Sequence, residues 1–180
     1  MLPSLFKYFA KFIPKDVLTK SFIQPKSSLI PQYNEISSYV LSLPDDDVIN
    51  DLTWFVLSAN ERMVSERVRN NNGYTLFVEY GKITIDSESL SSTHQHVAIT
   101  VAHPLSDSNK DNLSEILILD RCLSILQSIL FTMHKNQEEL EFCPSKTLID
   151  YPVTVTPIDP SSFYGCGGFV AAMLRITTHC

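Results

Sequence analysis

The stretch from Asp111 to Glu138 constrains this chain most. It runs without a Gly or a Pro and is the longest helical pattern in the sequence. Leu113, Ile116, Leu117, Leu123, Leu126, Ile129, Leu130 and Met133 recur at helical spacing, which predicts one broad apolar face. Asp111, Ser114, Glu115, Asp120, Arg121, Ser124 and Gln127 supply the other side. Ser108 followed by Asp111 reads as a box-like N-terminus. His134 and Lys135 bring cations to the end that the helix dipole favours for them. At ~1.5 Å per residue such a helix spans about 40 Å, a full domain width. A stripe this wide needs a partner surface, and the strand-like segments on either side are the candidates.

Upstream, Asp51 to Leu57 reads as a strand, and Asn60 caps a helix through Arg69 with Met63, Val64 and Val68 facing inward. Asn70-Asn71-Asn72-Gly73 is a strong turn. Tyr74 to Tyr80 alternates as a strand, and Gly81 ends it or marks a bulge. A polar loop, Asp86 to Thr93, leads to a second strand, His94 to Ala102. Downstream, the polar segment Glu138 to Lys146 precedes a strand from Tyr151 to Ile158. Pro152 and Pro157 confine that strand to an edge or to its own ends. Asp159 to Ser162 turns the chain, Gly165 to Gly168 bends it, and Phe169 to Ile176 is the last strand. This order predicts an α+β fold: an antiparallel sheet of hairpins with helices packed on one face.

Residues 1–43 read as an N-terminal helical arm and linker, and residues 44–180 as the α+β domain. In the arm, Leu5, Phe6, Phe9, Phe12 and Ile13 form an aromatic stripe, with Lys7, Lys11 and Lys15 on another face. Pro14 ends or kinks this helix. Residues 21–34, with Pro25 and Pro31, form a linker, and a short helix follows from Asn34 to Leu43. The charge is uneven: the arm carries five Lys against Asp16 and Glu35, while the whole chain has a net charge of −6. A basic, apolar arm on an acidic body suits docking onto a neighbouring copy. It also suits a membrane-surface helix, but the body shows no other membrane-like feature, which favours packing on protein. The sequence contains no run of eighteen apolar residues, so no transmembrane helix is expected. Lys7 and Lys11 interrupt the apolar start, which argues against a signal peptide. An acidic chain is also a poor general binder of nucleic-acid backbones.

Candidate chemistry is sparse. Cys122, Cys143, Cys166 and Cys180 form no C-x-x-C pair, so buried thiols are expected instead of disulfides or a zinc site. His94-x-His96 puts two imidazoles on one face of a strand, and His103, at an odd offset, falls on the other. Nothing nearby in sequence completes a metal set. Asp45-Asp46-Asp47 lacks calcium-loop spacing and reads as a solvated turn. Gly165-Cys166-Gly167-Gly168 lacks the Lys-Ser/Thr ending of a phosphate loop and precedes a strand. Cys166 has no base partner by spacing, and Glu138, Glu139 and Glu141 read as an exposed charge run. The expectation is a non-enzymatic protein with no catalytic, cofactor-binding or metal residues.

Several segments resemble small tail and neck proteins of tailed bacteriophages, of the tail terminator (tail completion) type found in phages of Bacteroides-like bacteria. The resemblance covers about residues 60–178. It lies in Glu79-Tyr80-Gly81 closing a strand and in the strand Ala98 to His103. It continues in the long helix from Asp111, with Asp120 before Cys122-Leu123, and in Gly167-Gly168-Phe169 opening the last strand. The resemblance implies a structural virion protein, assembled in the host cytoplasm, that builds a homo-oligomeric ring of six copies. Such a ring sits at the tail end or in the head–tail neck as a terminator or connector. Its partners are then tail tube, neck or connector proteins, and DNA passes through its lumen without sequence-specific binding. The rival expectation is a peripheral membrane or partner-binding module using the amphipathic N-terminal helix.

Overall fold

In a computed structural model, residues 2–22, 32–58, 71–85, 93–105, 111–136, 148–149, 153–158 and 169–179 are described. At 82–85, 93–95, 148–149, 169 and 177–179 the description is of the backbone. The element order is α1 (Leu2–Ala10), α2 (Lys15–Ser21), α3 (Gln32–Ser42), β1 (Leu52–Ser58), β2 (Tyr74–Ile85), β3 (Thr93–Pro104), α4 (Asn112–Lys135), β4 (Leu148–Ile149), β5 (Val155–Ile158) and β6 (Phe169–His179). The fold is α+β.

One sheet runs in the order β1-β2-β3-β6, and β4 and β5 share the far edge of β6 end to end. The sheet is mixed, not wholly antiparallel, because β1 and β2 pair in parallel. A parallel pair needs a crossover, and residues 59–73 supply the length for one. The expected helix from Asn60 to Arg69 lies outside the described residues. Asn71 pins the start of both parallel strands. Its amide donates to the Gly73 carbonyl (3.0 Å) and to the Thr75 hydroxyl (2.8 Å), and Thr53 donates to its oxygen (3.0 Å). β2 runs on through Gly81 to Ile85, with a register shift between Tyr80 and Ile83. A Cβ at Gly81 would stand 3.3 Å from the His96 carbonyl oxygen, so the bulge wants Gly there. Pro157 is accommodated because β5 lies on the sheet edge.

Alternation divides the sheet into two faces. Leu52, Phe55, Leu76, Val78, Val97, Ile99, Val101, Ala172, Leu174 and Ile176 face the main core with the helices. Val56, Phe77, Ala102 and Ala171, with Trp54 and Ile158 against them, make a second cluster on the other face.

The N-terminal helices belong to the main core and are not appended to it. Leu5, Phe9, Phe12, Ile13 and Leu18 are each at most 1% exposed and share a cluster with the sheet residues. Phe6 stacks on Phe55 of β1, with ring centroids 5.3 Å apart. α1 ends at Ala10, ahead of Pro14, and Pro14 stands at the N-cap of α2. The boundary expected at residue 43 therefore does not separate two cores: the aromatic stripe is too large to leave in water and closes over β1.

α4 departs from its expected face. Cys122, Ile125, Leu126, Ile129 and Met133 are its buried residues, packed toward β3 and β6. Leu113, Ile116 and Leu117 are exposed instead. At 3.6 residues per turn Leu113 lies about half a turn from Cys122, so what reads as one stripe is two opposed ones. Its N-cap is Asp111, which accepts from the Ser114 amide at 3.0 Å and from the Ser114 hydroxyl at 2.5 Å. Ser108 lies outside the described residues. By length and composition α4 is also apolar enough to cross a membrane, contrary to expectation. Both apolar sides contribute to that: one is core and the other faces outward.

Candidate functional site

The outward side of α4 is the most distinctive surface among the described residues. Leu113 (65% exposed), Ile116 (54%), Leu117 (60%) and Phe131 (70%) lie along it. Leu113 and Phe131 are about five turns apart and so share one azimuth. Asp120, Ser124 and Gln127 fall between them on the same side, so the stripe is apolar at both ends and polar in the middle. Large apolar side chains left in water stand out from the polar surface around them. Arg121, at the border of the stripe, donates to Asp51 just before β1. That bond and the Asp51 charge hold the guanidinium's pKa up and tie α4 to the start of the sheet. β1 ends the strand order on that side.

A second feature is a cavity of about 320 Å³ lined by Ser4, Lys7, Tyr8, Lys11, Tyr39 and Asn136. Its lysines are engaged within the fold. Lys7 sits 4.6 Å from the Tyr39 ring centroid and Lys11 4.2 Å from that of Tyr8, cation–π contacts in the usual range. Lys11 also pairs with Asp47 at 3.3 Å, and Lys15 with Asp45 at 3.0 Å. Burial, and then the Asp47 charge, pushes the Tyr8 hydroxyl pKa up. The basic arm thus meets the acidic turn of its own chain, where the sequence suggested a neighbour's body and a merely solvated turn. The aromatic face of α1 is in the core, so it is not offered to lipid.

A third feature lies on the sheet face away from the helices. Glu79, Ala98 and Arg175 form one cross-strand row. They border a cleft of about 480 Å³ together with Gly81 and His96. Ala98 and Gly81 keep its floor low, and Glu79 and Arg175 give it opposite charges across two strand spacings, roughly 10 Å.

Cys122 is buried, and burial pushes its thiol pKa up to about 12, which keeps it neutral and inert. His96 is exposed on the outer face. His103 lies on the helix side as the odd offset predicts, its Nδ1 2.7 Å from the Pro104 carbonyl oxygen and its ring 4.6 Å from that of Tyr74. Cys143, Cys166, Cys180, the bend Gly165 to Gly168 and the run Glu138 to Glu141 lie outside the described residues. Among residues with described side chains, no three of His, Cys, Asp or Glu gather at one point. Sequence reasoning missed the outward stripe because it merged Leu113, Ile116 and Leu117 with the opposed face of Leu126, Ile129 and Met133, and missed the Arg121–Asp51 bond because no local pattern links those positions. Comparison with protein-family models, curated proteins and solved structures finds no match for this chain.

Proposed function

We propose that this chain is a non-enzymatic structural subunit that assembles with copies of itself, as a ring component at the tail end or head–tail neck of a tailed phage. The observation that carries this reading is the outward stripe of α4, with Leu113, Ile116, Leu117 and Phe131 all more than half exposed. Its chemistry fits a second copy. Contact between the stripe of one subunit and a different patch of the next is heterologous, and heterologous contacts form a ring when the rotation between subunits closes. β1, which ends the described strand order, stands at the same junction. The net charge of −6 suits a lumen through which DNA slides without sticking. The resemblance at Glu79-Tyr80-Gly81, Ala98 to His103 and Gly167-Gly168-Phe169 narrows the assembly to the tail terminator or connector type, with tail tube and neck proteins as neighbours.

Light scattering of the full chain at high concentration tests self-association, and mass spectrometry of purified particles tests the virion role. The expected results are a defined multimer, or presence in particles beside tail tube and portal proteins. The double variant Leu117→Lys, Phe131→Lys should lower the mass to that of a monomer while the chain still unfolds cooperatively, its melting temperature no longer dependent on protein concentration. A strict monomer that is absent from particles sinks the reading. The rival use of α1 as a membrane helix predicts liposome flotation of the full chain, which the burial of Leu5, Phe9 and Phe12 argues against.

A further inference from the structure

The cavity between α1, α3 and the end of α4 gathers polar groups from three elements. Ser4, Lys7 and Lys11 stand three and four residues apart, so they share one side of α1 and of the turn that leaves it. Tyr39 comes from α3, and Asn136 is the C-cap of α4. All five line one space of about 320 Å³, a size at the lower end of the roughly 300–1,000 Å³ usual for small-molecule sites. Ser4, Lys7, Lys11 and Asn136 are each half-buried, so a charge among them is less screened than one on open surface.

The fold leaves several of these groups unspent. Lys11 is answered by Asp47 at 3.3 Å. Lys7 meets the Tyr39 ring, 4.6 Å from ammonium to centroid. A ring face attracts a cation but carries no net charge, so the Lys7 charge is positioned and not neutralised. Among the described residues no carboxylate pairs with Lys7, and neither the Ser4 hydroxyl nor the Asn136 side-chain amide makes a hydrogen bond. The described lining holds no Asp or Glu. Burial keeps the Tyr8 hydroxyl protonated, so that wall adds no negative charge. The carboxyl end of α4 brings about half a negative charge, which Lys135 in its last turn opposes. The lining is therefore positive and calls for an anion. Arginine's planar fork matches a carboxylate, whereas lysine is a point charge that serves a tetrahedral phosphate from any side. The cavity has lysines and no described arginine.

We propose that this cavity binds a small phosphate-bearing molecule, with Lys7 as its principal charge partner, Ser4 and Asn136 as neutral donors and the Tyr39 ring as a wall. The site stands independently of the assembly reading. The test is ¹H–¹⁵N NMR of the full chain in chloride buffer, titrated with inorganic phosphate and, separately, with phenyl phosphate. Saturable shifts are expected at the amides of Ser4, Lys7 and Asn136. Lys7→Gln should raise the midpoint by roughly 10-fold or more, the worth of a hydrogen bond to a charged group. Lys15→Gln removes the same charge outside the cavity, where Lys15 pairs with Asp45, and should leave the midpoint in place. A lower midpoint for phenyl phosphate assigns the site to an ester with a flat body against Tyr39. Equal midpoints assign it to the free ion, and either result supports the site. No saturable shift by about 10 mM, the range of the weakest specific binding, overturns it. So do shifts centred on Lys15 and Lys20, or a parent-like midpoint in a folded Lys7→Gln chain.

Discussion

Phe9→Ala asks whether the N-terminal helices are part of the fold. Phe9 has no solvent exposure and stands edge-on to Tyr8 (5.3 Å between centroids) and tilted to Phe12 (6.2 Å). It shares one buried cluster with residues of α2, β1 and α4. Truncating a fully buried Phe costs about 3–5 kcal/mol from lost transfer energy and the cavity left behind. Domains hold only about 5–15 kcal/mol in all, so this one ring accounts for a large share of the stability. With a urea slope of about 2–3 kcal/mol/M, the unfolding midpoint falls by about 1–2.5 M. Fluorescence of Trp54, the chain's single Trp, reports the transition from β1, far along the sequence from the mutated site. Phe131→Ala is the matched control: the same residue type at 70% exposure should shift stability by no more than about 0.5 kcal/mol. A Phe9→Ala loss below about 1 kcal/mol, or one equal to that of Phe131→Ala, would refute the inclusion of α1 in the core.

Three further expectations follow from individual residues. Asp111→Ala should destabilise the chain near neutral pH. The Ser114 hydrogen bonds hold the Asp111 carboxyl below its usual pKa, so its contribution is present above the unfolded value of about 3.9 and fades as pH falls through the folded one. Urea midpoints of the two proteins should therefore converge on acidification, and a gap that widens in acid contradicts the cap. Cys122, studied with Cys143, Cys166 and Cys180 replaced by Ser, should resist a thiol reagent at pH 8 until urea unfolds the chain. Prompt labelling of the folded protein contradicts its burial. Because its folded pKa is raised, the Cys122 contribution is present below the unfolded value of about 8.5 and lost as pH climbs toward about 12. Cys122→Ser should cost about 1–3 kcal/mol by placing a hydroxyl in an apolar site, measured by the same urea titration.

Local pattern carried much of the architecture. The long helix, the alternation of Tyr74 to Tyr80, the interruption between α1 and α2 near Pro14 and the edge position of Pro157 were all legible, because each depends on periodicity or on a backbone restriction that a few neighbouring residues impose. Which side of α4 is buried was not legible. Leu113 and Leu126 are equally apolar, and contact with β3 and β6 selects between them. The parallel pairing of β1 with β2, the ion pairs from Lys11 and Lys15 to the Asp turn, and the pairing of β3 with β6 join residues that local spacing cannot relate. The sequence by itself determined which segments could be helix or strand and which residue types each would present. Only the tertiary structure decided which faces were covered and which distant residues became neighbours, because burial is a property of the whole packed chain and not of any window along it.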